Sequence, residues 1–600
     1  MSCNSKLVEE RKNLKKPFKN KEKQDIIREI VIWECFMKKE WKYYEVDEEK
    51  VKEIARKFQI SSLLASILVN RNIIEEKDIR LFLDPTREDF HDPYLLPDMK
   101  KAIDRIITAI EKKEKMIIYG DYDVDGITSI TVMKKFLEER GIEVGYYIPN
   151  RLEEGYGLNK QAVRKIASEN YKLMITVDCG ISSIEEIDLA NELGMEVIVT
   201  DHHEPLKELP KAVAIIDAKR KDSIYPFRGL AGVGISFKVI QALGIRLGLE
   251  EKEYLKYLDI VCVGTIADIV PLQDENRVIA KLGLLLVKQT KNPGLRALLK
   301  AAGYKEVNSN TISFGIAPRI NACGRMGFQE EALRLFLTDN IVEANEITEK
   351  LNLYNRQRQE TEKRIFEEAL GKIEKEEIEK ANCIVIGSEN WHHGVIGIVA
   401  SKLTEMYFKP SILMCFEENI GKGSGRSIPG FDLHGALCKS SEYLEKYGGH
   451  EMAIGLSMKK ENFKNFKEQF IRIAKESNIQ ELVPVIYIDS EISLKHISKE
   501  IVNELRKLEP FGEGNKVPIF AYKNLKIDSI RTLTDNKHLK LTLKDGNHII
   551  NAIGFNMGAL AEEYCIGDKI DVAGVLEINS FNGMETIQIN LKDIMRSVQV

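Results

Sequence analysis

No stretch of the 600-residue sequence approaches the roughly 18 consecutive apolar residues that span a bilayer, so no membrane-spanning segment is expected. The opening MSCNSKLVEERKNLKKPFKNKEKQ has charges but no apolar core after them, which excludes a secretory signal. The nine cysteines are scattered, odd in number and never spaced CxxC. That argues against a zinc knuckle or disulfide framework, and for reduced thiols in a cytoplasm. There is no internal repeat, and no low-complexity tract beyond the N-terminal lysines. A large excess of one charge is missing too. The net charge of −5 is a blunt guide where acidic metal ligands and basic grooves share one chain.

What is present reads as a globular chain, 44% hydrophobic and 30% charged, too long for one core. Residues 1–45 form a basic extension that need not be ordered, and 46–98 look helical. From 99 to 340 strands and helices alternate. Strands are expected at KMIIY (115–119), VGYYI (144–148), KLMITV (172–177), MEVIVT (195–200) and AVAII (212–216), with helices at 128–139 and 182–193. Ser182 with Glu185 has the spacing of a capping box. Short apolar strands joined by helices predict a parallel, doubly wound α/β sheet. Residues 341–380, with Gly371 as their single Gly or Pro, predict one long solvated helix. A smaller α/β domain follows at 381–475. Short strands and turns over 484–600 read as a small β-barrel of the oligonucleotide-binding (OB) type.

The stretch YGDYDVDGITS (119–129) packs Asp121, Asp123 and Asp125 into one turn, where they repel one another unless a cation sits between them. Asp121, Asp178 and Asp201 each fall within two residues of a strand end, and open α/β sheets bind ligands at the carboxyl ends of their strands. A lone Asp after a strand is ordinarily a helix cap, and a lone His pair a surface feature. Here GDYDVDG, VDCG and TDHH would share one edge. With His202, His203 and Asp268 of VGTIADIVPL they form a carboxylate–imidazole set suited to Mn²⁺ or Mg²⁺. The ligands suffice for two ions about 3.5–4 Å apart, the arrangement that activates water and stabilises in-line displacement at phosphorus. Asp178, ending a strand expected to be central, is the choice for the bridging carboxylate.

DYDVDG, VDCG, DHH and ADIVP, in that order, resemble the DHH phosphoesterase superfamily. The second half, ending in GGHEMAIG (448–455), resembles its DHHA1 partner module. GLAGVGISFK (229–238), APRINACGRMG (317–327), WHHGVIGIVASKL (391–403), LEPFGEGN (508–515) and the OB-like end narrow the resemblance to the branch of single-strand-specific 5′→3′ DNA exonucleases. The resemblance spans about residues 37–600. It implies one metal on Asp125, Asp178, His202 and Asp268, and another on Asp123 and Asp178, helped by Asp121. His203 would act beside the scissile phosphate, with Asp178 and Asp201 in the catalytic set. Pyrophosphatase-like members have a His where this chain has Tyr119, a poor ligand for either metal. The resemblance also implies a monomer acting in DNA repair and recombination on single-stranded DNA with a free 5′ end, threaded between two lobes and released as 5′-mononucleotides. A single-strand-binding protein and a RecQ-type helicase are the partners it suggests.

Phosphate contacts are expected from Arg319 and Arg325 flanking Asn321 in a Gly-containing loop, and from His393. Arg426 in the anion nest GKGSGRS, and Gly448, Gly449 and His450, complete the set. Trp391 is expected to pack. Lys516, Lys523, Lys526, Arg531, Lys537, Lys540 and Lys544, interleaved with Phe520, Tyr522 and Phe555, suggest a basic groove with stacking platforms for a single strand. Two alternatives remain. One is a small-substrate phosphodiesterase of the same superfamily, which would usually lack the OB-like extension. The other is a non-catalytic single-strand-binding replication factor, which would have lost metal ligands.

Overall fold

The computed structural model describes residues 39–597, apart from 152–153, 156, 377–380, 478 and 582–583. Two compact units make up the chain: residues 75–358 with 507–517, and the remainder. Most of the N-terminal extension therefore lies outside the described residues. Residues 40–43, expected within it, instead form a strand, Glu40–Tyr43, parallel to Val485–Ile488.

In the first unit, five parallel strands stand in the order Val144–Tyr147, Met116–Gly120, Leu173–Val177, Glu196–Thr200, Ala214–Ile216. All five lie where the apolar runs predict them, and Leu173–Val177 is the central one. Period-two alternation sends Ile118, Ile175, Val177 and Ile198 into one core and Ile117, Tyr119, Met174 and Val197 into another on the opposite face. Burial on both faces explains runs such as LMITV with no polar alternation.

Two helix boundaries differ from expectation. The helix expected at 128–139 runs Val124–Glu138, because Asp123 caps it by accepting the Gly126 N–H at 3.1 Å. The second helix is Ile184–Glu192 and starts after Ser183, without a side-chain cap, so the Ser182–Glu185 box does not form. Lys238 and Glu275, both fully buried, pair at 2.8 Å and tie helix Gly232–Arg246 to helix Asp274–Val287. The long helix spans Ile341–Lys375.

In the second unit, a mixed five-stranded sheet is ordered Lys446–His450, Ala453–Lys459, Ile420–Arg426, Ser411–Glu417, Ile384–Ser388. The C-terminal barrel comprises Phe520–Leu533, His538–Asp545, His548–Gly554, Met584–Arg596 and Lys569–Phe581, closed by pairing of the first with the last.

Candidate metal centre and phosphate-binding residues

Four of the five parallel strands run directly into an acid: Asp121, Asp178, Asp201 and Asp217. Asp178 sits in the left-handed region (φ 58°), a conformation that a non-glycine residue keeps only where its surroundings fix it. Helix Gly232–Arg246 aims its first two N–H groups at Asp125, Gly232 to Oδ2 and Val233 to Oδ1, both at 2.7 Å. Glycine at 232 is a matter of room, since a Cβ there would lie 2.6 Å from Asp178 Oδ1. Gly126 likewise leaves space for the Asp121 carbonyl, 2.4 Å from where its Cβ would be.

His202 Nε2 lies 3.1 Å from Asp178 Oδ1, 3.7 Å from Asp268 Oδ2 and 3.8 Å from Asp125 Oδ2. Asp121, Asp123 and Asp178 offer three further ligand atoms within 4.8 Å of one another. Asp178 thus belongs to both clusters. Asp201 is different. Its Oδ2 accepts the Ile181 N–H, and its Oδ1 accepts the N–H groups of His202 and His203 and faces His203 Nδ1 at 2.7 Å. It positions the two histidines rather than offering a free oxygen.

Burial, then repulsion from Asp123, lifts Asp125 to about 7, against the two N–H bonds it accepts. Asp268 rises to about 9 through burial and then Asp125 and Asp123, offset by Lys219. Asp121 and Asp178 are raised well above the carboxylate range, mainly by burial and then by neighbouring acids. Burial, reinforced by His203, depresses His202 to about 3, which leaves its imidazole neutral with a lone pair to give. For His203, burial is the largest single influence and pulls down, but the bond to Asp201 together with the charges of Asp201 and Asp125 outweighs it and the value rises. Among the described residues, Asp121 Oδ1 finds no hydrogen-bond partner although it is buried. Crowded carboxylates, a neutral imidazole and this orphaned oxygen fit hard divalent cations.

Tyr119 takes no part. Its hydroxyl donates to the Gly157 carbonyl at 3.0 Å, and its ring stacks on Tyr147 in the far-face core. Three residues near the centre escaped the sequence reading. Asp217 is buried, its Oδ2 has no hydrogen-bond partner among the described residues, and burial raises it to about 7. Lys219 faces Asp268, His202 and His203 electrostatically. Arg151 stands 5.0 Å over the Tyr122 ring. Asp217 carries a readable signal, an acid after an apolar strand like the others. Lys219 and Arg151 carry none.

The phosphate-binding candidates are only partly as expected. Arg319, Asn321 and Arg325 lie on a helix, Ala317–Met326, not in a loop; it continues the π-helical segment Thr311–Ile316, and Gly327 closes it in the left-handed region. Arg319 spends its guanidinium on Asn352 Oδ1 and the carbonyls of Gly315 and Ala301. Arg325 sits in the last turn, and Gly324 brings that turn against the Tyr122 carbonyl. GKGSGR is no anion nest: it forms strand Ile420–Arg426, paired on both sides, so its N–H groups are engaged. The register nevertheless sets Arg426 opposite Ala453, and Ala453 opposite His450. Gly425, Ile454 and Gly449 form the next row, with Gly449 at φ 131° where a Cβ would strike the Ala453 carbonyl. His393 opens helix His393–Tyr407, capped by His392, and Gly397 of that helix faces Ser424 and Arg426. Trp391 packs, with its Nε1 donating to Glu368 at 2.9 Å.

In the barrel, Phe520 and Tyr522 are fully buried and cannot be stacking platforms, whereas Phe555 is exposed. Lys523 is held by Asp571 and Lys544 by Asp528. Arg531 lies directly opposite Lys540, and Lys526 opposite Lys544.

Three family models match the chain: the DHH family N-terminal domain over 115–265, the DHHA1 domain over 380–476, and the RecJ OB domain over 488–593. The single-stranded-DNA-specific exonuclease RecJ of Bacillus subtilis is 39% identical over 562 residues, 93% of this chain and 71% of that protein. The Escherichia coli K12 protein of the same name is 32% identical, covering 83% of this chain and 90% of its own. The crystal structure of Thermus thermophilus RecJ with Mn²⁺ superposes with a TM-score of 0.82 at 29% identity, over 94% of this chain and 80% of that one. The Mg²⁺ complex gives 0.75 at 27%, over 94% and 79%.

Proposed function

Because this chain belongs to the RecJ family of single-stranded-DNA-specific exonucleases, we propose that it hydrolyses single-stranded DNA from a free 5′ end, releasing 5′-mononucleotides. Two divalent cations, Mn²⁺ or Mg²⁺, are its cofactors. The observation that carries this reading is the meeting of Asp125, Asp178, His202 and Asp268 at one sheet edge, with Asp178 also joining Asp121 and Asp123.

Asp125, Asp178, His202 and Asp268 would hold one ion; Asp178, Asp123 and Asp121 would hold the other. Ions bound there supply the charge that draws a water's proton off near neutral pH and offsets charge building on phosphorus. The chain's residues do the rest. Asp125 is fixed by two backbone N–H groups and Asp201 fixes both histidines. His203, half exposed and held by Asp201, would hand a proton to the leaving oxygen. Arg325, Arg426 and His450, with Asn321, His393, Gly448 and Gly449, are the proposed phosphate contacts; Arg319, with Nε, Nη1 and Nη2 all engaged, is removed from that set, and Arg426 Nη1 also donates to Ser424 Oγ and the Gly425 carbonyl. The barrel's exposed Lys526 and Arg531 hold the strand's backbone without regard to sequence. No described helix is long and apolar enough to cross a membrane. A cytoplasmic place in DNA repair and recombination belongs to this reading, as does work beside a single-strand-binding protein and a RecQ-type helicase. Support for those partners is the family resemblance alone.

The test is degradation of 5′-labelled and 3′-labelled single-stranded DNA with Mn²⁺, wild type beside Asp178→Ala. Early release of the 5′ label as mononucleotide, lost in the variant, is expected. Cleavage of dinucleotides with long DNA left intact would favour a small-substrate phosphodiesterase, and binding without cleavage would remove the enzyme reading.

A further inference from the structure

LEPFGEGN (508–515) lies inside the span matched by the RecJ OB model. Residues 507–517 nevertheless pack within the unit that carries the metal centre, whereas the chain on either side, 359–506 and 518 onward, belongs to the other unit. We propose that this loop is a clamp that positions Asp268, an inference that rests on the metal-centre reading above.

Asp268 ends helix Leu258–Ala267, donating its N–H to the Gly264 carbonyl. Ile269, in the left-handed region at φ 61°, then swings the chain outward. A β-branched residue in that conformation is held there by its surroundings. Four residues beyond Asp268, the Leu272 N–H donates to the Glu513 carbonyl at 2.8 Å, and Gln273 Nε2 donates to the Gly514 carbonyl at 3.2 Å. Gly512 and Gly514 make the approach possible. A Cβ at 512 would lie 2.7 Å from Leu272 Cδ1, and one at 514, where φ is 69°, would lie 3.1 Å from Pro271 Cβ.

The loop is rigid in its own right. Asn515 is buried, donates to the carbonyls of Leu508 and Pro510 at 2.8 and 2.7 Å, and exchanges backbone bonds with Gly512. The buried Arg277 donates to the carbonyls of Leu508 and Glu509, both at 3.1 Å. From the other side, Asn276 Nδ2 reaches the carbonyls of Pro271 and Gly229. Gly229 precedes the helix whose first N–H groups hold Asp125. The strap 269–272 is therefore gripped twice. Among the described residues, no backbone N–H holds the Asp268 carboxylate in the way that two hold that of Asp125. Its place depends on the strap, and the strap's place on the loop.

The experiment uses the full-length chain. Binding of Mn²⁺ alone is followed by the electron paramagnetic resonance signal of the free ion, for wild type, Asn515→Ala, Gly514→Ala and the control Asp178→Ala. Melting temperature and metal-free binding of single-stranded DNA are measured alongside. Asn515→Ala and Gly514→Ala are expected to bind one Mn²⁺ about tenfold more weakly, the scale seen when residues supporting a ligand are removed. Their DNA affinity should stay unchanged, and their activity should recover as Mn²⁺ is raised. Wild-type Mn²⁺ affinity in the folded variants, or impaired activity that excess Mn²⁺ does not restore, overturns the clamp. If Asn515→Ala fails to fold, Gln273→Ala decides, since it removes one exposed hydrogen bond: weaker Mn²⁺ binding supports the clamp, and unchanged binding overturns it. A wild type that binds no Mn²⁺, or an Asp178→Ala that binds it normally, brings down the metal-centre reading and the clamp with it.

Discussion

His203 Nδ1 lies 2.7 Å from Asp201 Oδ1, and that same oxygen accepts the backbone N–H of His202 at 2.7 Å. One buried carboxylate thus sets the ring of one histidine and the main chain of its neighbour.

Asp201→Asn keeps the shape but turns one acceptor into a donor beside Ile181 N–H or His203. Activity at saturating Mn²⁺ should fall by roughly 10–100-fold, as for other residues that orient a metal ligand. Melting temperature should move little by comparison. Steady-state kinetics beside thermal unfolding check this, and near-wild-type turnover would show that Asp201 does not orient the site.

Gly232→Ala adds a single methyl group 2.6 Å from Asp178 Oδ1. Helix Gly232–Arg246 is anchored by the buried Lys238–Glu275 pair, so the carboxylate must give way rather than the helix. A displacement approaching 1 Å costs on the order of 100-fold in turnover. Single-turnover cleavage rates read the effect directly, with unchanged rates the outcome that refutes it.

His91 Nε2 pairs with Asp274 Oδ1 at 2.7 Å. That hydrogen bond raises its pKa above the ordinary 6.5; burial opposes, Glu275 assists and Lys238 counteracts. The folded state binds the proton more tightly than the unfolded one. The stability from this pair is therefore complete below about pH 6.5 and fades as pH rises through the folded value. The difference in melting temperature between wild type and His91→Gln should be greatest near pH 6 and shrink above it. A pH-independent difference would mean that the pair contributes through packing alone.

Arg531 and Lys540 face each other across adjacent strands, a like-charge pairing that costs stability unless an anion lies over it. Replacing both by Ala should weaken binding of single-stranded DNA equally for all sequences. The slope of log affinity against log salt should fall by about 0.7 for each phosphate that the protein no longer neutralises. Fluorescence anisotropy at several salt concentrations measures this, and an unchanged slope would place the DNA elsewhere on the barrel.

The catalytic sheet was legible because burial on both faces leaves each strand an apolar run, and an acid that follows such a run stands out. The cluster of Asp121, Asp125, Asp178, His202 and Asp268 could be assembled from that rule and the family motifs. Arg319 was misread because glycines in APRINACGRMG suggested a loop, whereas the chain stays helical up to Gly327 and tertiary acceptors consume the guanidinium. Phe520 and Tyr522 were misread because a lysine beside an aromatic looks alike on either face of a strand. Only the barrel's closure shows which face points inward. The docking of residues 507–517 had no local signal at all, since its partners lie more than 200 residues away in sequence.

Asp125 is held by main chain, and that changes what heredity can do to it. Nineteen of the twenty amino acids at position 233 present the same N–H, proline alone lacking it. The hydrogen bond itself therefore sets no limit on the residue that makes it, and what limits position 233 is the packing of its side chain in the core. Position 232 is narrow for want of space, with no role for its side chain as a donor. The Val233 side chain is itself fully buried in the core, so a survey of point variants would charge losses there to packing and overlook the amide. Val233→Pro alone would reveal the difference.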